Sequence, residues 1–343
     1  MDTTVFEGFH GRLLEKRHSL IEWLRSTSPR QRQVHLGPTD ERAVQSHLQG
    51  IENAIEKAES RTLGHCEVCH GFVEVELLEM DYTACVCLSH FSPEERRLLE
   101  ADLELAQTIQ RALLPQQVPE IPGLELAAFT RPAQIVAGDY FDFLHYRDGT
   151  HGLAIGDVAG KGMAASLLMA SLQAFLRTVT PESDSPIEVV TRLNRLFSHN
   201  IHYTTFATLF LARWDATTHT LDHCNAGHNP PLLYRRSPNG DEQLTWLRAS
   251  APAIGLVETL HFKRQMSHLA PNNLLLCYTD GVTEATNPQA EEFGYQRLAD
   301  LIRQSATLPA PDLVSVVRQA LEAFTDGHAR ADDTTIIACR VAE

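Results

Sequence analysis

The stretch IGDVAGKGMAASLLMA, residues 155–170, places an aspartate, three glycines and a lysine directly ahead of an apolar run. Three readings compete for it: a loop that cradles phosphate, a metal site, or a turn between a strand and a helix. A nucleotide-binding P-loop needs four residues between its first glycine and Gly-Lys, followed by a Ser or Thr that holds Mg²⁺. Here Gly156 and Gly160 are separated by three residues, and Gly162 stands where the hydroxyl belongs. The P-loop is therefore set aside. A strand over 152–155 that breaks through a glycine turn into a helix from Met163 fits the pattern, but it leaves Asp157 without a role.

The rest of the chain narrows that role. At 343 residues it has material for two or more domains with full cores. A net charge of −15 argues against direct nucleic-acid binding, which needs a basic footprint, and suits divalent cations. No apolar run reaches the length of a transmembrane helix, so no membrane partner is expected. The opening residues MDTTVFE have neither the basic region nor the apolar core of a secretory signal, which makes the cytoplasm the expected location. Four of the seven cysteines fall between Cys66 and Cys87, a clustering that points to metal rather than disulfides. Cys224, Cys277 and Cys339 sit in apolar surroundings, as small core residues do.

Apolar spacing predicts a helix over 4–26 and a second from about 39 to 60, with Val44, Leu48, Ile51 and Ile55 on one face. The two would pair as a hairpin over 1–60. Residues 61–91 follow with Cys66-x-x-Cys69, an expected β-hairpin, and Cys85-x-Cys87. Two such pairs can meet around one tetrahedral Zn²⁺, and a segment this small needs a staple. The expected ligands are Cys66, Cys69, Cys85 and Cys87. His90 stands by as a substitute because the second pair is not CxxC, and the alternative is a metal-free ribbon. The run HLQGIENAIEKAESRTLGHCEVCHGFVEVELLEMDYTACVC resembles the last helix and zinc finger of the DksA/TraR family. That resemblance, over about forty residues, implies RNA polymerase as a partner.

Ser92-Pro93-Glu94-Glu95 is a helix start, with an N-cap, proline at the first position and a glutamate of the capping-box type. The predicted helix runs to 114, ahead of Pro115. Leu98, Asp102, Leu105, Ile109 and Ala112 step by four and three along it, a heptad seam. It serves either as a linker lying on its own domain or as a dimerisation helix joining segments 1–91 and 117–343.

From Leu124 onward, short β-like runs are interrupted by helices at 163–178 and 186–198, and a helix at 311–325 precedes a last strand. That order gives an α+β layered domain. Its aspartates recur at strand ends: Asp139 and Asp142 in VAGDYFDFL, Asp157 in AIGDVAGKG, Asp280 in LLCYTDGVTEA, Asp332 and Asp333 in ADDTTII. No comparable group of Lys or Arg accompanies them. Carboxylates that converge without compensation bind cations, and hard oxygen ligands point to Mg²⁺ or Mn²⁺.

Six segments in order, ELAQTIQRALLP, AGDYFDF, IGDVAGKGMAASLLMA, NAGHNPPLL, LLCYTDGVTEA and DDTTII, resemble the PPM phosphatases, in particular the bacterial SpoIIE/RsbU branch, across about residues 100–343. The resemblance implies an αββα sandwich and a metal-dependent protein serine/threonine phosphatase in which water between two Mn²⁺ or Mg²⁺ ions attacks phosphoserine or phosphothreonine. It implies Asp157 as bridging ligand, the Val158 carbonyl as a further donor, and Asp139, Asp280 and Asp332 as ligands, with Asp333 as an additional candidate. Gly160-Lys161-Gly162 becomes a turn into the first of two switch helices. The implied substrate is a phosphorylated anti-sigma-factor antagonist of the STAS type. Asn225-Ala226-Gly227-His228 offers no acid for a third metal, His228 belongs to the turn, Arg131 lies in the neighbourhood of the family's phosphate-holding arginine, and Ala137 replaces the first glycine of the usual Gly-Gly-Asp. A competing reading makes the chain an RNA-polymerase-docking scaffold with a weak or inactive phosphatase domain.

Overall fold

The computed structural model describes residues 10–11, 13–14, 17–18, 21–22, 25, 41–73, 77–78, 85–160, 162–200, 206–237, 239–257, 262–327 and 332–342. The chain divides into two compact units, Met1–Asp102 and Leu103–Glu343.

In the first unit, helix α1 (Glu41–Glu59) presents Ile51, Ala54, Ile55 and Ala58 to a small core that also holds Leu13, Leu63, Cys66, Val73 and Cys87. Most of the expected helix over 4–26 and most of the expected hairpin between the cysteine pairs lie outside the described residues. Leu13 is buried in the small core, so that segment does contribute to it. Helix α2 (Pro93–Leu113) runs through the boundary between the units.

Among the described residues, the second unit has ten strands. One sheet has the order β1-β10-β9-β6-β7 and the other β2-β3-β4-β5-β8. The strands are β1 (Leu124–Arg131), β2 (Asp139–His145), β3 (His151–Val158), β4 (Ala207–Asp215), β5 (Thr220–Ala226), β6 (Leu232–Arg236), β7 (Glu242–Trp246), β8 (Gln265–His268), β9 (Leu274–Tyr278) and β10 (Thr334–Val341). Helices α3 (Gly162–Val179) and α4 (Pro186–Asn200) cover one sheet. A short α5 (Asp280–Thr283) follows β9, and α6 (Gly294–Ser305) and α7 (Ala310–Thr325) cover the other sheet. The expected αββα sandwich is what forms.

Period-two alternation sorts the strands' side chains. Phe141, Leu153, Ile155, Phe210, Leu275, Cys277, Ile337 and Cys339 face inward and fill the space between the sheets. Tyr140, Leu144, Ala154 and Val158 face outward and pack under α3 and α4. α3 is long and apolar enough to cross a membrane by composition alone, yet its Ala165, Met169, Leu172 and Leu176 are buried in that layer.

The edge strand β7 and the helices α5 and α6 were absent from the expectation. β7 is a half-exposed edge strand, EQLTW, whose alternation is too polar to stand out. α6 packs on the sheet through Leu298, Ala299 and Ile302, which are interleaved with Arg297, Asp300 and Arg303.

Candidate active site

The inward alternation carries on past the core to one end of the sandwich, where it turns from apolar to acidic. Asp139 follows the parity of Phe141 on β2, and Asp157 that of Ile155 on β3. The two stand directly opposite each other in the β2–β3 register. On the facing sheet the same parity brings Thr279 after Cys277 and Thr335 before Ile337. Both hydroxyls donate to Asp139 Oδ2, Thr335 at 2.6 Å and Thr279 at 2.8 Å, so the two sheets are bonded together at this carboxylate. Asp139 is 2% exposed. Burial pushes its pKa well above the usual carboxylate range, the charges of Asp157 and Asp333 push it further, and the threonine hydrogen bonds only partly oppose this.

Two glycines let the backbone close in. A Cβ on Gly138 would stand 2.9 Å from the Val158 carbonyl oxygen and 3.1 Å from Asp157 Oδ1, so this carbonyl and carboxylate crowd the Gly138–Asp139 corner. A Cβ on Gly281 would lie 1.9 Å from the Asp333 carbonyl oxygen, which only glycine permits next to Asp280. The segments carrying Asp280 and Asp332–Asp333 are thereby held against each other at the paired ends of β9 and β10. Asp332 lines a cleft with Gly281, Glu284, Phe129, Arg318 and Glu322. Asp333 is engaged by backbone. Its Oδ1 accepts the Ala133 N–H and its Oδ2 the Gly138 N–H, both at 2.7 Å. Through these two bonds Asp333 holds the loop leading into Asp139.

The structure therefore gathers Asp139, Asp157, Val158, Asp280, Asp332 and Asp333 at one end of the sandwich. Asp142 does not join them. It has the opposite parity to Asp139 and points to the helical layer, where Arg177 of α3 binds it through two nitrogens at 2.7 and 3.1 Å and the Tyr140 hydroxyl adds a third bond. This corrects the expectation that no cation accompanies the acids. His228 is buried at its turn, with Nδ1 2.8 Å from the Thr208 hydroxyl, and burial drives its pKa down to about 3. The Asn225 side chain spans the same turn through bonds to the His228 backbone. Arg131 is exposed and pairs with Glu322 at 3.7 Å. Lys161 lies outside the described residues.

The fold and sequence have counterparts among known proteins. The model of the family "Stage II sporulation protein E (SpoIIE)" matches residues 147–342, more than half of the chain. The chain belongs to the SpoIIE family. It is similar to phosphoserine phosphatase RsbU of Bacillus subtilis, 27% identical over 242 residues that make up 70% of each protein. Among solved structures it resembles the SiaA-PP2C domain of Pseudomonas aeruginosa, with a TM-score of 0.62, 23% identity, and coverage of 72% of this chain and 98% of that one. It also resembles the RsbU and RsbW domains of a Mycobacterium tuberculosis protein, with a TM-score of 0.56, 24% identity, and coverage of 67% and 63%. The SpoIIE match spans Asp157, Asp280 and Asp332; Asp139 lies before its start.

One residue of this SpoIIE-family domain escaped the reading of its acids. Gln110, near the end of α2, is buried, and its amide serves both sides of one residue's backbone: Nε2 donates to the Ala137 carbonyl at 2.7 Å and Oε1 accepts the Ala137 N–H at 2.9 Å. Nε2 also donates to Ser166 Oγ of α3 at 3.0 Å. Ala137 is two residues from Asp139, so the helix end, the acid-bearing loop and helix α3 share one side chain. The only sequence signal was a polar residue at an inward position of an amphipathic helix.

The SpoIIE-family domain is preceded by the cysteine-rich segment, and its ligand atoms are sorted differently from the expectation. Cys66, Cys69, Cys87 and His90 bring one donor atom each within 4.8 Å of one another. Cys85 stays outside the group. Its backbone carbonyl accepts the Glu67 N–H, and its thiol faces the Glu67 carboxylate.

Proposed function

We propose that the second unit is a metal-dependent protein serine/threonine phosphatase that acts on a phosphorylated regulatory protein of the STAS type, and that its divalent ions are two Mn²⁺ or Mg²⁺. The observation that carries this reading is the convergence of acid-bearing strand ends from both sheets on one buried corner. Every donor there is a hard oxygen, from the carboxylates of Asp139, Asp157, Asp280 and Asp332 and the Val158 carbonyl, which suits Mg²⁺ or Mn²⁺. Such ions supply an activated water and neutralise charge on a phosphoryl group. In this reading Asp157, Asp280 and Asp332 would hold the ions. Asp139 holds its share through one free oxygen while Thr279 and Thr335 fix the other. Asp333 keeps the Ala133–Gly138 loop in place. The cleft beside Asp332 admits the phosphorylated segment.

The remaining segments take their parts from the same reading: a helical hairpin over 1–60, a zinc-binding module over 61–91, a dimerisation linker over 92–116 and the catalytic domain over 117–343, in a cytoplasmic protein. Dimerisation is supported by the exposure of the heptad seam, with Leu98, Leu105 and Ile109 each more than half exposed on α2. The N-terminal module would receive a regulator, and its likeness to the DksA/TraR finger makes RNA polymerase the partner to try.

The test is turnover of a phosphoserine-bearing STAS-type protein by the purified chain with Mn²⁺, with EDTA, and in Asp157→Ala. Loss of activity by about a thousandfold or more in the last two is expected, since the ions carry several kcal/mol of transition-state stabilisation. Turnover indifferent to both would sink the reading.

A further inference from the structure

We infer that the N-terminal module binds one zinc ion through Cys66, Cys69, Cys87 and His90, a Cys3His site that excludes Cys85 and fastens the start of helix α2. It deepens the zinc part of the proposed function and rests on it.

The ligand spacing is Cys66-x-x-Cys69 and Cys87-x-x-His90. Each half is a tight turn that aims two donors at one point. In the first, the His70 N–H donates to the Cys66 carbonyl and the Cys66 N–H to the Gly71 carbonyl, with His70 in the left-handed region at φ 58°. In the second, Leu88–His90 is a single turn of 3-10 helix closed by the His90 N–H on the Cys87 carbonyl. Cys69 Sγ and Cys87 Sγ stand 3.7 Å apart. That is far beyond a disulfide, and it is close to the roughly 3.8 Å between two thiolates on a tetrahedral zinc with Zn–S bonds of about 2.3 Å.

The backbone is also arranged for thiolates. The N–H groups of Val68 and Cys87 donate to Cys66 Sγ, and that of Gly71 to Cys69 Sγ, each at 3.4 Å. Such bonds orient metal ligands and spread their negative charge. Cys66 and Cys87 are buried in a core of about a dozen apolar residues, too few for a stable module without a staple. The consequence for the fold lies in His90. It is the last residue of the 3-10 turn, and α2 begins three residues later at Pro93. A metal held there ties the knuckle that follows α1 to the first turn of α2.

The experiment measures zinc per chain in the full-length protein purified with zinc and without chelator, together with the absorption spectrum after Co²⁺ exchange. It compares wild type, Cys85→Ser and His90→Ala. One zinc per chain is expected in wild type and in Cys85→Ser, with the same thiolate-to-cobalt charge-transfer bands. His90→Ala should bind zinc at least about a hundredfold more weakly, the upper end of what losing a mere outer-shell partner costs. Its amides over 92–102 should exchange faster than in wild type, while Cys85→Ser leaves them unchanged. Zinc lost in Cys85→Ser but kept in His90→Ala would overturn the ligand set in favour of four cysteines. A wild-type protein that takes up no zinc would overturn the zinc reading altogether, leaving the phosphatase assignment to its own test.

Discussion

The molecule carries two clusters of metal-type ligands, and they are made by opposite means. In the N-terminal unit, three thiols and an imidazole come from 25 consecutive residues, Cys66 to His90, and two tight turns suffice to bring them together. In the C-terminal unit, carboxylates from Asp139 to Asp333 span nearly the whole domain, and only the stacking of two sheets makes them neighbours. A local cluster can form whenever its turns form, and it then stabilises a core too small to stand alone. The distributed cluster costs stability, because a buried carboxylate such as Asp139 beside Asp157 is destabilising until a cation arrives. The sandwich, with its three apolar layers, supplies the stability that this site consumes.

The sharpest way to break this contrast is to neutralise two acids of the same strand. Asp139→Asn should lower turnover on a phosphoserine protein by about a thousandfold, equivalent to about 4 kcal/mol. Its melting temperature without metal should hold or rise, since a repelled buried charge is removed. Asp142→Asn should do the reverse. It leaves the Arg177 guanidinium without its charge partner and should cost about 2 kcal/mol of stability, a discounted value because Arg177 is half exposed, while turnover of the folded protein stays within about threefold. Equal effects of the two substitutions on turnover would show that the strand's parity does not divide the acids as described.

That pair also marks how far the sequence could be read. The six ordered segments and the acids beside glycines were enough for the sandwich and for the location of the site. Asp139 and Asp142 look alike in AGDYFDF, and separating them needed the alternation of the buried strand, which a nearly continuous apolar run conceals. That Asp333 braces the loop before Asp139 could not be read from ADDTTII, because its two amide partners lie 195 and 200 residues away in the chain. In the cysteine segment the eye is drawn to Cys85-x-Cys87, and the Cys87-x-x-His90 turn becomes visible only once the 3-10 helix is known. β7 failed to register because its residues are mostly polar and at least partly exposed, and α6 because its buried Leu298, Ala299 and Ile302 are interleaved with charged residues.

Acid sharpens the contrast by a second route. Burial keeps His223 and His228 neutral, lowering their pKa values to about 4 and about 3, against about 6.5 in an unfolded chain. Between those limits the unfolded state binds more protons, so stability rises with pH. It is fully present above pH 6.5 and is lost as pH falls toward 4, at up to about 1.4 kcal/mol per pH unit for each histidine. Asp139 and Asp333, whose pKa values burial raises, act in the opposite sense, so the test is a difference: calorimetry of the metal-free chain between pH 7.5 and 4.5 should compare wild type with His223→Asn. His223→Asn should flatten the slope by the share of one proton. The same pH dependence in wild type and His223→Asn would mean that the His223 imidazole takes up its proton within the fold.

The smallest effect expected concerns the coupling between helix α2 and the acid-bearing loop. Gln110→Leu keeps the side chain's bulk but strips the Ala137 backbone of both its partners and Ser166 of a third bond. Leaving these buried groups unsatisfied should cost about 1–3 kcal/mol. Because Ala137 leads through Gly138 to Asp139, that loss should fall on the geometry of the acids ahead of the fold at large. The expected readout is a Mn²⁺ requirement raised about tenfold, the equivalent of about 1.4 kcal/mol, with turnover at saturating Mn²⁺ within about threefold of wild type. Gln107→Ala is the control. Gln107 donates from the same helix to the Ile135 carbonyl at an exposed position and should leave the metal requirement unchanged. If both variants shift it alike, the helix end acts by general packing; if neither does, the distributed site holds its geometry without the helix, and the local thiolate cluster has no route to it through Gln110.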